Sequence, residues 1–195
     1  MARLAIIQEP HKTLRKKARE LAVAEIKSKK IQKLVRDMSE TLGAIEVGIG
    51  LAAPQVGKSL RIFLVSEEAM LTKRDREKLD LEELKKNKRA RAWKQLVFIN
   101  PRITKTSKKK NLLAEGCLSV SDPSGKLIYG QVERFEKLTV EAYDASARKF
   151  TRGASELFAQ VIQHELDHLN GALFTDKAKE IKKIDVESQD APRRN

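Results

Sequence analysis

The first regular pattern of hydrophobic positions lies between residues 31 and 42. Apolar side chains recur there every three or four positions, at Ile31, Leu34, Val35, Met38 and Leu42. This spacing is typical of an amphipathic helix whose apolar stripe packs against a core. Ser28 is a suitable cap before the stripe, and Gly43 is a suitable stop after it. The pattern therefore predicts a helix close to the N-terminus.

The middle of the chain has the pattern of β-strands. Residues 61–65 and 96–99 are apolar runs rich in β-branched and aromatic side chains, and the Asn-Pro pair at 100–101 is expected to end the second run. Residues 138–143 alternate between apolar and polar positions, which predicts a strand with one buried face. A basic loop or hairpin tip is predicted at residues 107–110. We therefore expect several strands in this region.

The last long apolar pattern predicts a second helix, which begins after Ser155 and ends at residues 170–171. At about 100° per residue, its buried positions divide into two faces. One face is apolar and is expected to pack the core: Phe158, Ile162, Leu166 and Leu169. The other carries two imidazoles beside aliphatic side chains: Leu157, Val161, His164 and His168. The second face is therefore predicted to be the wall of a pocket.

The composition indicates a single domain. A chain of 195 residues is long enough to bury one core and short for two. Arg3, Glu9 and Pro10 interrupt the N-terminus before a signal-peptide region develops, and no apolar run reaches the roughly 18 residues of a membrane span. The single cysteine, Cys117, fits a reducing compartment. We therefore expect a cytoplasmic protein with no membrane partner, and we expect it to be a monomer.

The formal net charge of +13 implies attraction to polyanions such as RNA or an acidic membrane surface. Much of this charge lies in residues 72–94, a mainly basic stretch that we interpret as a solvated insertion. Residues 178–195 are predicted to form a charged C-terminal segment, partly helical and then disordered. The chain has no recognised RNA-binding motif and no aromatic residues interleaved with the basic ones. Charge alone therefore names no partner.

The predicted C-terminal helix contains an H-E-x-x-H pattern at residues 164–168. Histidines at positions i and i+4 lie one turn apart and can bind one metal ion. Glu165 lies beside the ion, where its carboxylate can accept a proton from an attacking water. Two core histidines satisfied by hydrogen bonds are the alternative. Because both histidines lie on the pocket face, the pattern favours a metal-dependent hydrolase. The third histidine of the chain, His11, is interpreted as a surface residue.

A catalytic metal site takes three protein ligands and keeps one position open. No histidine follows His168, and the next acids, Asp176 and Glu180, lie beyond the end of the helix. Cys117 is the better candidate, because a thiolate is a strong, soft ligand and residues 115–119 are expected to form a glycine-containing turn. A lone cysteine is more often a small buried hydrophobe. We nevertheless predict a Cys-His-His site, whose donors suit zinc, ferrous iron, nickel or cobalt.

Three segments resemble the signature motifs of the peptide deformylase family: GIGLAAPQ at 48–55, EGCLS at 115–119 and QHELDH at 163–168. The likeness extends to about residue 177. It implies an α+β fold in which mainly antiparallel sheets pack around a central C-terminal helix that carries the H-E-x-x-H motif. One catalytic domain is thus expected over residues 1–177. The resemblance also implies hydrolysis of the formyl group from N-formylmethionyl ends of nascent polypeptides, with release of formate.

The resemblance assigns roles to individual residues. The metal ion, commonly ferrous iron in the family, would be bound by Cys117, His164 and His168. Glu165 would move the water proton to the leaving amine, while the Gln55 side-chain amide and the Leu118 backbone N–H would bind the oxyanion. Ile49 and Gly50 would pair with an extended substrate chain. A pocket for the methionine side chain would be lined by Ile49, Leu113, Leu157, Val161 and His164.

The sequence departs from the family pattern after the cysteine motif. Ser121 stands where the family usually has proline, and the loop at 122–126 is longer, without a clear match for the usual arginine.

Two other functions remain open. An H-E-x-x-H metallopeptidase would leave the glycine and cysteine motifs unexplained, and a basic RNA- or ribosome-binding module with a structural metal rests on charge alone. We expect the basic segments to help the enzyme dock near ribosomal RNA.

Overall fold

The computed structural model describes residues 3–45, 48–72, 74–75, 94–122 and 124–183. The strands are β1 (Gly50–Ala52), β2 (Ile62–Ser66), β3 (Gln95–Thr106), β4 (Lys110–Ser121), β5 (Leu127–Phe135), β6 (Lys137–Tyr143), β7 (Lys149–Ser155) and β8 (Ile181–Lys183). The α-helices are α1 (Val23–Ile26), α2 (Lys29–Gly43) and α3 (Glu156–Leu169). Short 3₁₀ helices span Lys12–Arg15, Ala53–Val56, Glu67–Met70 and Phe174–Asp176. The predicted α+β class is confirmed.

The strands form two antiparallel sheets. The larger sheet has the order β1-β2-β3-β6-β7, and the smaller has the order β4-β5-β8. The residues predicted to form a basic loop or hairpin tip form the loop between β3 and β4, where Ser107 Oγ donates a hydrogen bond to the Lys109 carbonyl at 2.8 Å. Along β6 buried and less buried positions alternate, as its sequence predicts. The loop between β3 and β4 thus carries the chain from one sheet to the other.

Helix α3 packs its apolar face on the larger sheet. Its four predicted core residues are buried: Phe158, Ile162, Leu166 and Leu169. They share a hydrophobic cluster with Phe63 of β2 and Phe98 of β3, whose rings stack with centroids 4.8 Å apart. Burial of each side chain of this size contributes about 1.5–3 kcal/mol. This packing fixes the rotation of α3 about its axis, so the histidine face points toward the smaller sheet.

Helix α2 confirms the pattern at residues 31–42. Its cap is Ser28, whose hydroxyl accepts a hydrogen bond from the Ile31 N–H at 3.4 Å. Its apolar stripe belongs to a second hydrophobic cluster on the other side of the larger sheet's central strands, which includes Leu64 and Ile99. Among the residues described, no helix has the length and hydropathy needed to cross a bilayer.

The predicted end of a strand at residues 100–101 is wrong, because β3 continues to Thr106. Asn100 adopts a φ of 50°, and the pairing with β6 shifts register between Ile99 and Arg102. The Asn100 side chain is held by the backbone of Leu21, with hydrogen bonds of 2.9 Å to its N–H and 2.7 Å to its carbonyl. A distant segment therefore stabilises a β-bulge where the local sequence favours a strand end.

The predicted turn at residues 115–119 is also wrong, because these residues lie within β4. Their antiparallel ladder with β5 pairs Glu115 with Gly130 and Gly116 with Tyr129. A Cβ at Gly116 would lie 2.7 Å from the Tyr129 ring. The glycine is thus required for close packing of a neighbouring aromatic ring rather than for a turn.

The structure describes only residues 178–183 of the predicted C-terminal segment. They include strand β8, which pairs Ile181 with Gly130 and Lys182 with Tyr129. The edge of β5 thus supplies backbone hydrogen-bond partners for this part of the segment. Residues 73, 76–93 and 184–195 lie outside the described residues, so the predictions for the insertion and the disordered tail stay predictions.

Candidate active site

Helix α3 and strand β4 bring the three predicted metal ligands together. Cys117 Sγ and one ring nitrogen each of His164 and His168 lie within 4.8 Å of one another. Cys117 Sγ lies 3.2 Å from His168 Nε2. Burial lowers the pKa of His168, which favours the neutral imidazole that a metal ligand needs. A thiolate and two imidazoles at this spacing fit one divalent transition-metal ion.

The ring of His164 is oriented by Glu115. Its Nδ1 lies 2.9 Å from Glu115 Oε2, which leaves Nε2 directed to the ligand cluster. Metal-binding histidines are commonly held in this way by a carboxylate, which fixes the tautomer and the ring orientation. Burial by itself would raise the pKa of Glu115, but hydrogen bonds to Arg134 and His164 outweigh burial and lower that pKa to about 2. Glu115 is therefore a stable anion beside the site.

Arg134 of β5 connects the strand and the helix that carry the ligands. Its Nε and Nη2 donate to the two carboxylate oxygens of Glu115, both at 2.7 Å, and its Nη1 donates to Asp167 Oδ2 at 2.7 Å. The other oxygen of Asp167 accepts from Lys177 Nζ at 2.5 Å. Arg134 is 3% exposed, so water screens these bonds little. A chain of alternating charges thus extends from Glu115, which contacts His164, to Lys177.

The sequence-based prediction missed this chain of charges. Arg134 and Lys177 lie outside the three motifs, and Glu115 and Asp167 were given no separate role although both lie within motifs. One signal was present: Arg134 follows Val132 at the two-residue spacing of one strand face, and Val132 is fully buried. A charged residue on a buried face requires charged partners.

Glu165 is buried beside the ligand cluster. Burial raises the pKa of its carboxyl to about 7, although nearby His164 acts in the opposite direction. Within the part of the chain that the structure describes, its Oε2 atom has no hydrogen-bond partner. A Cβ at Gly50 would overlap Glu165 Oε1 and would lie 2.9 Å from Val161 Cγ1. The absence of a side chain at Gly50 therefore makes room for the Glu165 carboxylate.

Gln55 is oriented by the backbone. It lies in the 3₁₀ helix Ala53–Val56, and its Oε1 accepts a hydrogen bond from the Ala52 N–H at 2.8 Å. The amide nitrogen must then face the other way, 3.6 Å from Cys117 Sγ and 3.4 Å from Ser119 Oγ. Leu118 follows the cysteine on β4 and is half-buried. Two amide donors, the Gln55 side chain and the backbone of Leu118, are thus near the ligand sulfur.

The predicted pocket residues lie in or against the main hydrophobic cluster, or on the strand that carries Cys117. Val161 belongs to the main hydrophobic cluster, and Ile49 and Leu157 pack against it. Leu113 is half-buried and lies on the same face of β4 as Cys117, since the two are four residues apart along the strand. Strand β1 is the terminal strand of the larger sheet and pairs with β2. His11, which was predicted to be a surface residue, is exposed. Its side chain accepts a hydrogen bond from the Thr13 N–H at the start of the 3₁₀ helix Lys12–Arg15.

A buried carboxyl group beside a cysteine sulfur and two imidazoles, with amide donors near the sulfur, defines a metal-dependent hydrolase of the H-E-x-x-H type. Comparison of the whole sequence with known families assigns the chain to one family within this class. A profile of the polypeptide deformylase family matches residues 3–184, and the chain belongs to this family.

Individual relatives agree with the family assignment. The chain is 39% identical to a peptide deformylase of Helicobacter acinonychis over 97% of its own length and 93% of the relative's. It is 37% identical to peptide deformylase 1A, chloroplastic/mitochondrial, of Arabidopsis thaliana, over 88% of the chain and 60% of that longer protein. The actinonin-bound crystal structure of a class I type b peptide deformylase from Acinetobacter baumannii superposes with a TM-score of 0.72 at 27% identity, covering 92% of this chain and 100% of that one.

Proposed function

We propose that this chain hydrolyses the formyl group from N-formylmethionyl ends of nascent polypeptides and releases formate. The observation that carries the proposal is the convergence of all three motifs on one sulfur atom, with His168 Nε2 at 3.2 Å and Gln55 Nε2 at 3.6 Å from Cys117 Sγ. A metallopeptidase would need only the helix motif. An RNA-binding module would need neither the buried Glu165 nor the oriented Gln55. The family match supports the same choice.

Cys117, His164 and His168 would hold the metal ion. When bound, the ion supplies Lewis acidity, which lowers the pKa of a coordinated water and polarises the formyl carbonyl. Glu165 acts as the general base that accepts the water proton and then as the general acid that delivers it to the leaving amine. Its buried position beside the ligand cluster, with Oε2 unpaired among the described residues, suits a group that must both accept and donate a proton there.

Gln55 Nε2 and the Leu118 backbone N–H donate hydrogen bonds to the oxygen that gains negative charge as the formyl carbon becomes tetrahedral. The Gln55 amide is already oriented by the Ala52 N–H, so little reorganisation is needed when charge develops. Such preorganised donors commonly contribute about 10²- to 10³-fold to the rate.

The substrate chain pairs with the open edge of β1 at Ile49 and Gly50, as an added strand. Its methionine side chain enters a pocket lined by Ile49, Leu113, Leu157, Val161 and His164. Support comes from the shared packing of Ile49, Leu157 and Val161 and from the terminal position of β1 in its sheet.

We further propose ferrous iron as the working metal, because the family commonly uses it. Zinc, nickel and cobalt are the expected substitutes, because thiolate and imidazole ligands suit all four metals.

The enzyme acts as a cytoplasmic monomer. Its basic segments, residues 72–94 and 178–195, help it dock on ribosomal RNA near emerging substrates. Ribosome co-sedimentation at low and moderate salt tests the docking. Binding that persists without both segments would remove them from this role.

The activity is tested with metal-free protein reloaded anaerobically with each metal in turn. Formyl-Met-Ala-Ser and a longer unformylated peptide are the substrates, and formate and internal cleavage products are measured. We expect formate release from the first substrate and no cleavage of the second, with the highest turnover in the iron form. Internal cleavage without formate release would instead establish the metallopeptidase alternative.

A further inference from the structure

A segment near the N-terminus contacts both elements that carry the proposed oxyanion donors. We call residues 7–9 the N-terminal strap. The Ile7 N–H donates to the Gln55 carbonyl at 2.9 Å, and the Glu9 N–H donates to the Ser119 carbonyl at 2.9 Å. The strap therefore joins the 3₁₀ helix that carries Gln55 to strand β4, although neither element is its neighbour in sequence.

The side chain of Gln8 holds the peptide group next to the ligand cysteine. Gln8 Nε2 donates to the Leu118 carbonyl at 2.9 Å, while Gln8 Oε1 accepts from Ser121 Oγ at 3.4 Å, so both ends of the amide are engaged. The same Leu118–Ser119 peptide group presents its N–H on the opposite side. That N–H, of Ser119, donates to Cys117 Sγ at 3.4 Å.

We propose that Gln8 is a positioning residue, which fixes the Leu118–Ser119 peptide plane and thereby the N–H···S hydrogen bond to Cys117. A peptide group is rigid, so a hydrogen bond to its oxygen also sets the direction of its N–H. Hydrogen bonds to a ligand sulfur withdraw electron density from it and so tune the bound metal. The Leu118 N–H, the proposed oxyanion donor, belongs to the preceding peptide group, so the Gln8 contact acts on that donor indirectly, by restraining the Leu118 backbone. This catalytic part rests on the proposed function.

Two substitutions remove the donor at an exposed position, where folding is little affected: Gln8→Met and Gln8→Glu. The glutamate keeps the shape but turns an acceptor toward the Leu118 carbonyl. In the cobalt-loaded protein, we expect the thiolate-to-cobalt absorption band to move to longer wavelength in both variants, because the sulfur loses part of its hydrogen bond. In the iron-loaded protein, kcat is expected to fall about 3- to 10-fold, the equivalent of one hydrogen bond, with KM changed less.

Gln32→Met is the matched control. Gln32 also donates its Nε2 to backbone carbonyls, those of Ile26 at 2.8 Å and Ala145 at 2.7 Å, but on the far side of the larger sheet. The Gln32→Met substitution should lower the melting temperature without moving the cobalt absorption band. An unchanged band in both Gln8 variants, or an equal shift in the control, would overturn the proposal. If no protein releases formate, the proposed function fails while the cobalt band still decides the role of Gln8.

Discussion

Arg134 and Glu115 form a two-point ion pair beneath the candidate metal site, with Nε–Oε1 and Nη2–Oε2 distances of 2.7 Å each. Both side chains are 3% exposed, and Glu115 in turn contacts His164. Since Glu115 is two residues from Cys117 on β4, one ion pair influences two of the three ligands. The third ligand, His168, follows Asp167, which Arg134 also binds.

Replacing Arg134 is therefore expected to weaken metal binding as well as folding. Arg134→Met leaves Glu115 with its main cationic partner removed, and loss of one partner from a buried ion pair costs about 3–5 kcal/mol. Metal affinity should fall about 10- to 100-fold, as it does when groups that orient ligands are removed. Chelator competition gives the affinity, and urea unfolding gives the free energy of unfolding.

The control for Arg134 is Arg148→Met. Arg148 pairs with Asp144 at 3.0 Å on an exposed turn, where an ion pair contributes about 1 kcal/mol or less. The Arg148→Met substitution should leave metal affinity unchanged. Metal affinity equal to that of the wild type in Arg134→Met would show that the orientation of His164 does not depend on this network.

Glu165→Gln should abolish turnover and leave the metal bound. Glutamine keeps the size of the side chain but cannot accept the water proton, and loss of a general base costs about 10²- to 10⁴-fold. Formate release measures turnover, and elemental analysis of the same sample measures metal content. Glu156→Gln, at the exposed start of the same helix, is the control and should remain active. Substantial activity in Glu165→Gln would assign the proton transfer to another group.

Gly50→Ala should impair catalysis through Glu165. The added Cβ would approach Glu165 Oε1 more closely than real Cβ contacts tolerate, so the carboxylate must move. A displacement of about 1 Å in a catalytic group can cost about 10²-fold in rate. The loss should appear in kcat, with metal content unchanged.

Gly153→Ala provides the matched comparison. It lies on β7, and a Cβ added there would have no heavy atom within 4 Å among the described residues. Its backbone does not adopt a positive φ either, so alanine fits without strain. We expect the Gly153→Ala variant to have wild-type kinetics. A normal kcat in Gly50→Ala would mean that β1, rather than Glu165, yields to the methyl group.

The sequence was sufficient for those parts of the site that depend on local spacing. Helix periodicity placed Leu157 and Val161 beside the histidines, because α3 is a regular helix with an apolar face that fixes its rotation. Cys117 was identified by elimination and by chemistry, since the residues after His168 offered no suitable donor. The roles of Gln55 and Leu118 came from the family resemblance, as nothing in their local pattern indicates hydrogen bonding to an oxyanion.

The remainder depends on contacts between residues far apart in the chain. Arg134 is 19 residues from Glu115 and 33 from Asp167, and Gln8 is 110 from Leu118. The local signals at Asn100 and Pro101 favour a strand end, yet hydrogen bonds to Leu21 keep β3 continuous. Periodicity describes one element at a time, so it cannot specify which distant side chain completes a buried polar group.

Glu141 of β6 makes stability depend on pH through charges outside the active site. Its Oε1 lies 2.6 Å from Arg102 Nη2 on β3, and its Oε2 lies 3.0 Å from Lys149 Nζ on β7. The hydrogen bond from Lys149, and then that from Arg102, lower the pKa of Glu141 below its ordinary value of 4.5 despite an opposing effect of burial. The carboxylate therefore links three neighbouring strands of the larger sheet.

A carboxyl group whose pKa is lower in the folded state stabilises the fold above its unfolded pKa, and this stabilisation is lost as pH falls through the folded pKa. Glu141→Gln should consequently unfold at lower urea concentration than the wild type at pH 7. The difference should shrink below pH 4.5 and vanish once Glu141 is protonated in the folded protein. At about 1 M salt, where the Debye length is about 3 Å, the difference at pH 7 should also diminish. A urea difference independent of both pH and salt would mean that the substitution acts through packing rather than charge.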